Sequence, residues 1–328
     1  MVAIRESINS VKEIKRLVGF PGERIRIDEG DIWVNDSRLQ KSLALALRQS
    51  VLVEAWERSV HNHEPRFGAW TCNDETFQGA LPNASIVRFA YRNGGFIDNR
   101  LASNAHDSHQ IVPVNDVGIA IEWGPELGAG ELECVLRTPQ TECKASVLWE
   151  VGGIRICTDR HSKMLSVKDV SLSRNETGGH WLIVCHVDGN LIVGDADQEW
   201  HRELCLPTPR LTNVGGSQEG DREKSKQEPP QSPVELRWRG ESRTVRSLLV
   251  FRDLHYRGAH DAPEQTWEPA NGIVVLGDNI STSTDSRDRW PGRLRMNAVK
   301  GVVVESQNPV EELLKQRLRA SESSESSR

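Results

Sequence analysis

Apolar and charged residues alternate from Glu13 to Val18. This pattern predicts a strand with Ile14, Arg16 and Val18 on one face and Lys15 and Leu17 on the other. A short apolar strand, Val2 to Ile4, precedes it. Phe20-Pro21-Gly22-Glu23 then reads as a turn, because Pro fixes φ and Gly tolerates positive φ. Alternation returns at Arg24 to Asp28, turns at Glu29-Gly30, and continues from Asp31 to Val34 until Asn35-Asp36, the pattern of a β-hairpin. Residues 38 to 58, with Leu39, Leu43, Leu45, Leu47, Val51 and Trp56, fit a helix followed by a strand or a second helix.

From about residue 66 to 206 the texture changes. Short apolar runs begin near residues 86, 118, 132, 145, 154, 181 and 190, separated by turn signals such as Asn93-Gly94-Gly95 and Asp188-Gly189-Asn190. Many short strands with no helical stretch predict an all-β sandwich. Residues 207 to 233, rich in Pro, Gly, Ser and charge, predict a flexible loop. Runs at 234 to 238 and 244 to 251 are expected to close the sandwich, and 258 to 271 to be loop. Ile273-Val274-Val275-Leu276 reads as a buried strand and 299 to 304 as another. A short helix is expected over 309 to 320, and a disordered tail after it. The fold class expected is therefore mainly β. A small core built from both chain ends (1–58 and 266–308) is interrupted by a sandwich-like insert over 66–257, with residues 309–328 outside both.

Composition narrows the function classes. The chain has 328 residues, 27% charged and 37% hydrophobic, with a formal net charge of −6, so a nucleic-acid-binding surface is not expected. No run of about 18 apolar residues predicts a membrane span, and the N-terminus has no apolar segment of a secretory signal. The cysteines at 72, 134, 143, 157, 185 and 205 form no Cys-x-x-Cys pair. Scattered buried thiols are favoured over disulfides, which the even count permits. His61-Asn62-His63 and His106-Asp107-Ser108-His109 read as solvated loops rather than metal ligands. Trp123, Trp149, Trp181 and Trp238 read as core packing rather than a sugar-stacking platform. No cofactor and no metal are expected.

Two segments carry the chemistry. One is Ile14-Lys15-Arg16-Leu17-Val18-Gly19-Phe20-Pro21-Gly22-Glu23. The other is Gly277-Asp278-Asn279-Ile280-Ser281-Thr282-Ser283-Thr284-Asp285-Ser286-Arg287. Together, and in this order, they resemble the lysine box and the Gly-Asp-Asn box of the bacterial type I signal peptidases, membrane-bound serine proteases with a Ser–Lys dyad. Arg289-Trp290-Pro291-Gly292-Arg293 and Ala298 to Val302 resemble the aromatic turn and the strand that lie after the second box in that family. The resemblance covers residues 11 to 36 and about 268 to 304. Ile280, Ser281 and Thr282 depart from it, since the family has polar or charged residues there.

The resemblance implies that Lys15 is the general base and that Ser283 orients its amine. It also implies that Gly277, Asp278, Asn279, Asp285, Arg287 and Arg16 support the site. A serine hydroxyl needs a base to become a useful nucleophile. A lysine serves only as the neutral amine, a form that burial favours. The family's nucleophile lies in a Ser-Met-x-Pro-like segment several dozen residues before the lysine. Ser7 and Ser10 lack that context and are expected to be loop residues, so no nucleophile is expected within the chain and this form is expected to be inactive unless an upstream segment supplies one. The partners implied are the signal peptides of secreted pre-proteins and a membrane surface, on its extracytoplasmic face. The alternative is a catalytically dead relic acting as a binding module through the sandwich, whose ligand the sequence does not identify.

Overall fold

The computed structural model describes residues 1–5, 11–57, 68–91, 114–124, 129–138, 142–150, 153–160, 163–170, 180–196, 198–205, 232–259, 262, 264–278, 283–288 and 294–303. The described chain is mainly β, arranged in four sheets whose assigned strand pairs are antiparallel. It divides into two compact units. One holds Met1–Val51, Val114 and the described residues from Arg252 onward; the other holds the remaining described residues between Leu52 and Phe251.

The first unit contains two four-stranded sheets. In one, Glu13–Gly19 lies between Val2–Ile4 and Val274–Leu276, and Val299–Val302 pairs with the far side of Val2–Ile4. Segments from both ends of the sequence thus meet in one sheet, with Val2 opposite both Lys15 and Val302. The second sheet runs Glu264–Trp267, Ile25–Asp28, Asp31–Val34 and Ser37–Arg38. Its tight turns, Glu29-Gly30 and Asn35-Asp36, have positive φ at both central residues, the geometry that matches the twist of a two-residue hairpin. Glu264–Trp267 falls in a stretch expected to be loop. Three polar residues before Trp267 give it no strand pattern of its own, and it gains order by pairing with Ile25–Asp28.

Ile273–Leu276 is apolar without alternation because it is buried on both faces. Val274 and Leu276 join a cluster with Ile25, Ile27, Ile32, Tyr256 and Trp267. Ile273 and Val275 join a second cluster with Val2, Ile4, Leu294 and Ala298. Its neighbour Glu13–Gly19 divides the same way: Val18 packs on the first cluster and Leu17 on the second. Period-two alternation therefore places Lys15 on the side of Leu17 and Arg16 on the side of Val18. The helix Leu43–Gln49 comes next, with Leu43, Ala46 and Leu47 buried and the Ser42 hydroxyl accepting from the Leu45 N–H at its start.

The second unit is a two-sheet sandwich with eight strands in one sheet and seven in the other. Trp123 of the seven-stranded sheet meets Trp149 and Trp238 of the eight-stranded sheet, with ring centroids 5.4 and 6.0 Å apart. All three rings are buried, as is Trp181. The Arg243 guanidinium sits among the three rings, 4.8 to 5.6 Å from their centroids, and burial pulls its pKa down to about 10. Strands Lys163–Val170 and Glu199–Leu204 extend the two sheets, although their mixed polar sequences do not mark them out. Val51–Glu57, expected with the small core, pairs in the seven-stranded sheet. All six cysteines are free thiols. The 207–231 loop, the helix over 309–320 and the tail lie outside the described residues.

Gly19 ends the lysine strand where a β-carbon would stand 2.3 Å from Ile25 Cγ1 and 3.3 Å from Val274 Cβ. Gly19→Ala is expected to lose about 1–3 kcal/mol through overpacking, measured by urea unfolding. A change within about 0.5 kcal/mol would show that the two sheets of this unit can part locally.

Candidate active site

Lys15 and Ser283, 268 positions apart in sequence, meet in the first unit: the Lys15 Nζ donates to the Ser283 Oγ at 2.8 Å. Lys15 is buried, 7% exposed, and Ser283 is half-buried. The contact arises from the register. Val274–Leu276 runs antiparallel to the lysine strand, with Leu276 opposite Arg16, so the next residues, Gly277 and Asp278, arrive beside Lys15 and Arg16. Strand alternation then sends the two basic side chains to different places. Lys15 goes to Ser283. Arg16 goes to Asp278, whose Oδ1 and Oδ2 accept from Arg16 Nε at 3.1 Å and Nη2 at 2.7 Å, a bidentate pair. The Tyr256 ring is buried beside Arg16, and that burial pushes its phenol well above the ordinary tyrosine range.

Asp285 holds the returning segment in place. Its Oδ2 accepts from the Gly277 N–H at 2.8 Å and from Arg287 Nη2 at 2.7 Å. Its Oδ1 accepts from the Arg287 N–H at 3.1 Å and from Arg287 Nε at 2.8 Å. Burial works against the charge on Asp285, but the Arg287 guanidinium and the two backbone N–H groups outweigh it and hold the carboxyl below the usual range. Ser286 completes the clasp as a short strand mimic. Its N–H donates to the Val275 carbonyl at 3.1 Å, and its hydroxyl accepts from the Val275 N–H at 2.9 Å. The Trp267 indole N–H donates to the Ser286 carbonyl at 3.2 Å.

Gly277 is required by space. A β-carbon there would stand 1.8 Å from Ser283 Oγ and 2.4 Å from Ser283 Cβ. The turn after the lysine strand is pinned as well. Gly22 has φ +84° and its N–H donates to the Pro269 carbonyl at 2.9 Å, while the Phe20 N–H donates to Glu23 Oε2 at 2.7 Å.

Of the residues singled out in the sequence, Lys15, Arg16, Gly277, Asp278, Ser283, Asp285 and Arg287 gather within this one unit. Asn279, Ser7 and Ser10 lie outside the described residues, as do His61, His63, His106, His109 and the Trp290-Pro291-Gly292 segment. Sequence reasoning misses Glu13. Its Oε2 lies 3.1 Å from Lys15 Nζ, and the signal for it is its place two residues before Lys15 on the same strand face. Trp267, Ser286 and Tyr256 join the site through tertiary packing that no local pattern announces.

Residues 1–113 match the family described as "Signal peptidase, peptidase S26", a span that includes Lys15 and ends before Ser283. No curated protein is similar enough to match the chain. Among solved structures, galectin LEC-6 of Caenorhabditis elegans is 11% identical over 47% of this chain and 94% of its own, with a TM-score of 0.26. Sheep galectin-11, solved with glycerol, is 12% identical over 52% and 98%, with a TM-score of 0.27. The carbohydrate-binding module CBM66 of Bacillus subtilis is 8% identical over 58% and 95%, with a TM-score of 0.27. At these scores none of the three bears on what this chain binds.

Asp285 also predicts how stability responds to pH. Its folded-state pKa lies below that of the unfolded chain. The stabilisation is therefore complete above the unfolded carboxyl's titration near pH ~4 and is lost as pH falls through the depressed value. Asp285→Asn is expected to cost about 3–5 kcal/mol at neutral pH by leaving the Arg287 charge buried and unpaired. Its unfolding midpoint should also fall less on acidification than the wild type's. Parallel acid limbs for the two proteins in thermal unfolding would show that Asp285 does not carry this charge.

Proposed function

We propose that this chain carries the base of a serine peptidase site of the signal-peptidase type, which cleaves leader peptides of exported proteins. Lys15 is the general base and Ser283 the residue that orients it. The observation that carries this reading is the part-buried 2.8 Å contact between Lys15 Nζ and Ser283 Oγ. The family match over residues 1–113 supports it independently, since that span holds the lysine strand but not Ser283.

Each residue takes a distinct part in the chemistry. In its neutral form the Lys15 amine takes the proton from an attacking serine hydroxyl and later returns it to the leaving amine of the cleaved bond. Ser283 fixes the direction of the nitrogen, so the lone pair is aimed without a search over rotamers. Gly277 leaves the room Ser283 occupies, and Asp285 with Arg287 holds the segment that delivers it. Arg16, paired with Asp278, keeps a second positive charge away from the amine. The reacting serine must approach Lys15 Nζ from a side not taken by Ser283. The substrate class, exported pre-proteins met at a membrane surface, comes from the same family reading.

The test uses the native protein isolated from its own cells and a pre-protein with a leader peptide ending in small residues. Lys15→Ala is expected to lower cleavage by about 10²–10⁴-fold or more, because the base is gone, with the fold retained. Ser283→Ala is expected to lower turnover by about tenfold to 10²-fold with substrate binding spared, because only the aim of the amine is lost. Unchanged processing by Lys15→Ala would remove Lys15 from the reaction. Absence of cleavage by the native protein itself would overturn the peptidase reading in favour of a relic that binds through its sandwich.

A further inference from the structure

The Lys15 amine is held from two sides. Ser283 Oγ accepts from it at 2.8 Å, and Glu13 Oε2 lies 3.1 Å away. We propose that Glu13 is a positioning residue for Lys15, whose carboxylate fixes where the amine points. This rests on the reading of Lys15 as a base and adds a residue to it.

Three observations carry the proposal. First, Glu13 and Lys15 share one face of one strand, and across the sheet they stand opposite Ile4 and Val2, both buried in the apolar cluster of this unit. An ammonium at the margin of such a cluster is costly unless a carboxylate answers it. Second, other elements offer Lys15 no competing counter-charge among the described residues. The Val2–Ile4 strand presents apolar side chains. Asp278 gives both oxygens to Arg16, and Asp285 gives both to Arg287 and the Gly277 N–H. Third, the two partners differ in exposure, 8% for the Lys15 side chain and 28% for Glu13. The pair is thus shielded on the lysine side, while the carboxylate keeps contact with water.

The arrangement has a geometric consequence. An ammonium has three N–H directions. Ser283 accepts along one and Glu13 lies against a second, which leaves one defined direction for a reacting hydroxyl. Glu13 therefore aims the amine.

The test reads Lys15 directly, whether or not the protein cleaves peptides. Crystal structures of Glu13→Ala and Glu13→Gln are compared with that of the native protein. In Glu13→Ala the Lys15 Nζ is expected to move beyond hydrogen-bonding distance of Ser283 Oγ, whereas Glu13→Gln, which keeps an acceptor oxygen at the same reach, is expected to hold it there. In the cleavage assay Glu13→Ala should lower kcat by about tenfold to 10²-fold and leave KM unchanged, with Glu13→Gln restoring most of the rate. A Lys15 amine that stays on Ser283 in Glu13→Ala overturns the proposal. A displaced amine in a protein that cleaves no leader peptide upholds the positioning by Glu13 and sinks the peptidase reading instead.

Discussion

The site depends on one buried carboxylate. Asp285 is fully buried and takes four hydrogen bonds, from the Gly277 N–H and from three N–H groups of Arg287. These tie Gly277 to Asp285 and Arg287. The desolvation that burial costs is offset because every acceptor direction is filled by a charge-assisted or backbone donor. With that tie in place, Ser283 is delivered to one place, above the only residue type there that leaves it room, a glycine. Remove the carboxylate and the strand Val274–Leu276 still pairs with the lysine strand, but the tie from Gly277 to the returning segment is gone.

The second constraint is the doubly buried Val274–Leu276 strand with Ile273 before it. Because it feeds two apolar clusters, its neighbour Glu13–Gly19 must also serve two faces, and the adjacent basic residues Lys15 and Arg16 part company. Each finds a different answer to burial. Arg16, whose planar fork suits bidentate pairing, is neutralised by Asp278. Lys15, with one compact head group, is held by a hydroxyl and by Glu13. An arginine at position 15 could not act as the proposed base, and a lysine at 16 could not make the same fork, so the order of the two residues matters to the proposed chemistry.

Much of this was legible in the sequence. The hairpin from Arg24 to Val34, the helix after residue 38 and the strand-rich middle come from period and turn residues alone, and the mainly β fold with them; whether a strand or a second helix follows that helix does not. The residues that meet at the site were legible only as a pair of motifs. Lys15 by itself is an ordinary strand lysine and Ser283 an ordinary loop serine. What stayed hidden depends on tertiary contact. The strand Glu264–Trp267 has little propensity of its own and forms on Ile25–Asp28. Lys163–Val170 and Glu199–Leu204 are interrupted by charged residues and so lack clear apolar alternation. Glu13 reads as one more surface acid until the register puts it beside the lysine amine.

If Lys15 is the proposed base, a serine reacts next to its amine. A crystal structure of the native protein treated with a leader-peptide aldehyde, which bonds reversibly to a reactive hydroxyl, would show that serine. The expected result is a covalent bond between the aldehyde carbon and a serine oxygen within hydrogen-bonding distance of Lys15 Nζ, with Ser283 still on the amine. An aldehyde bonded elsewhere, or a peptide that leaves the surroundings of Lys15 empty, would contradict it.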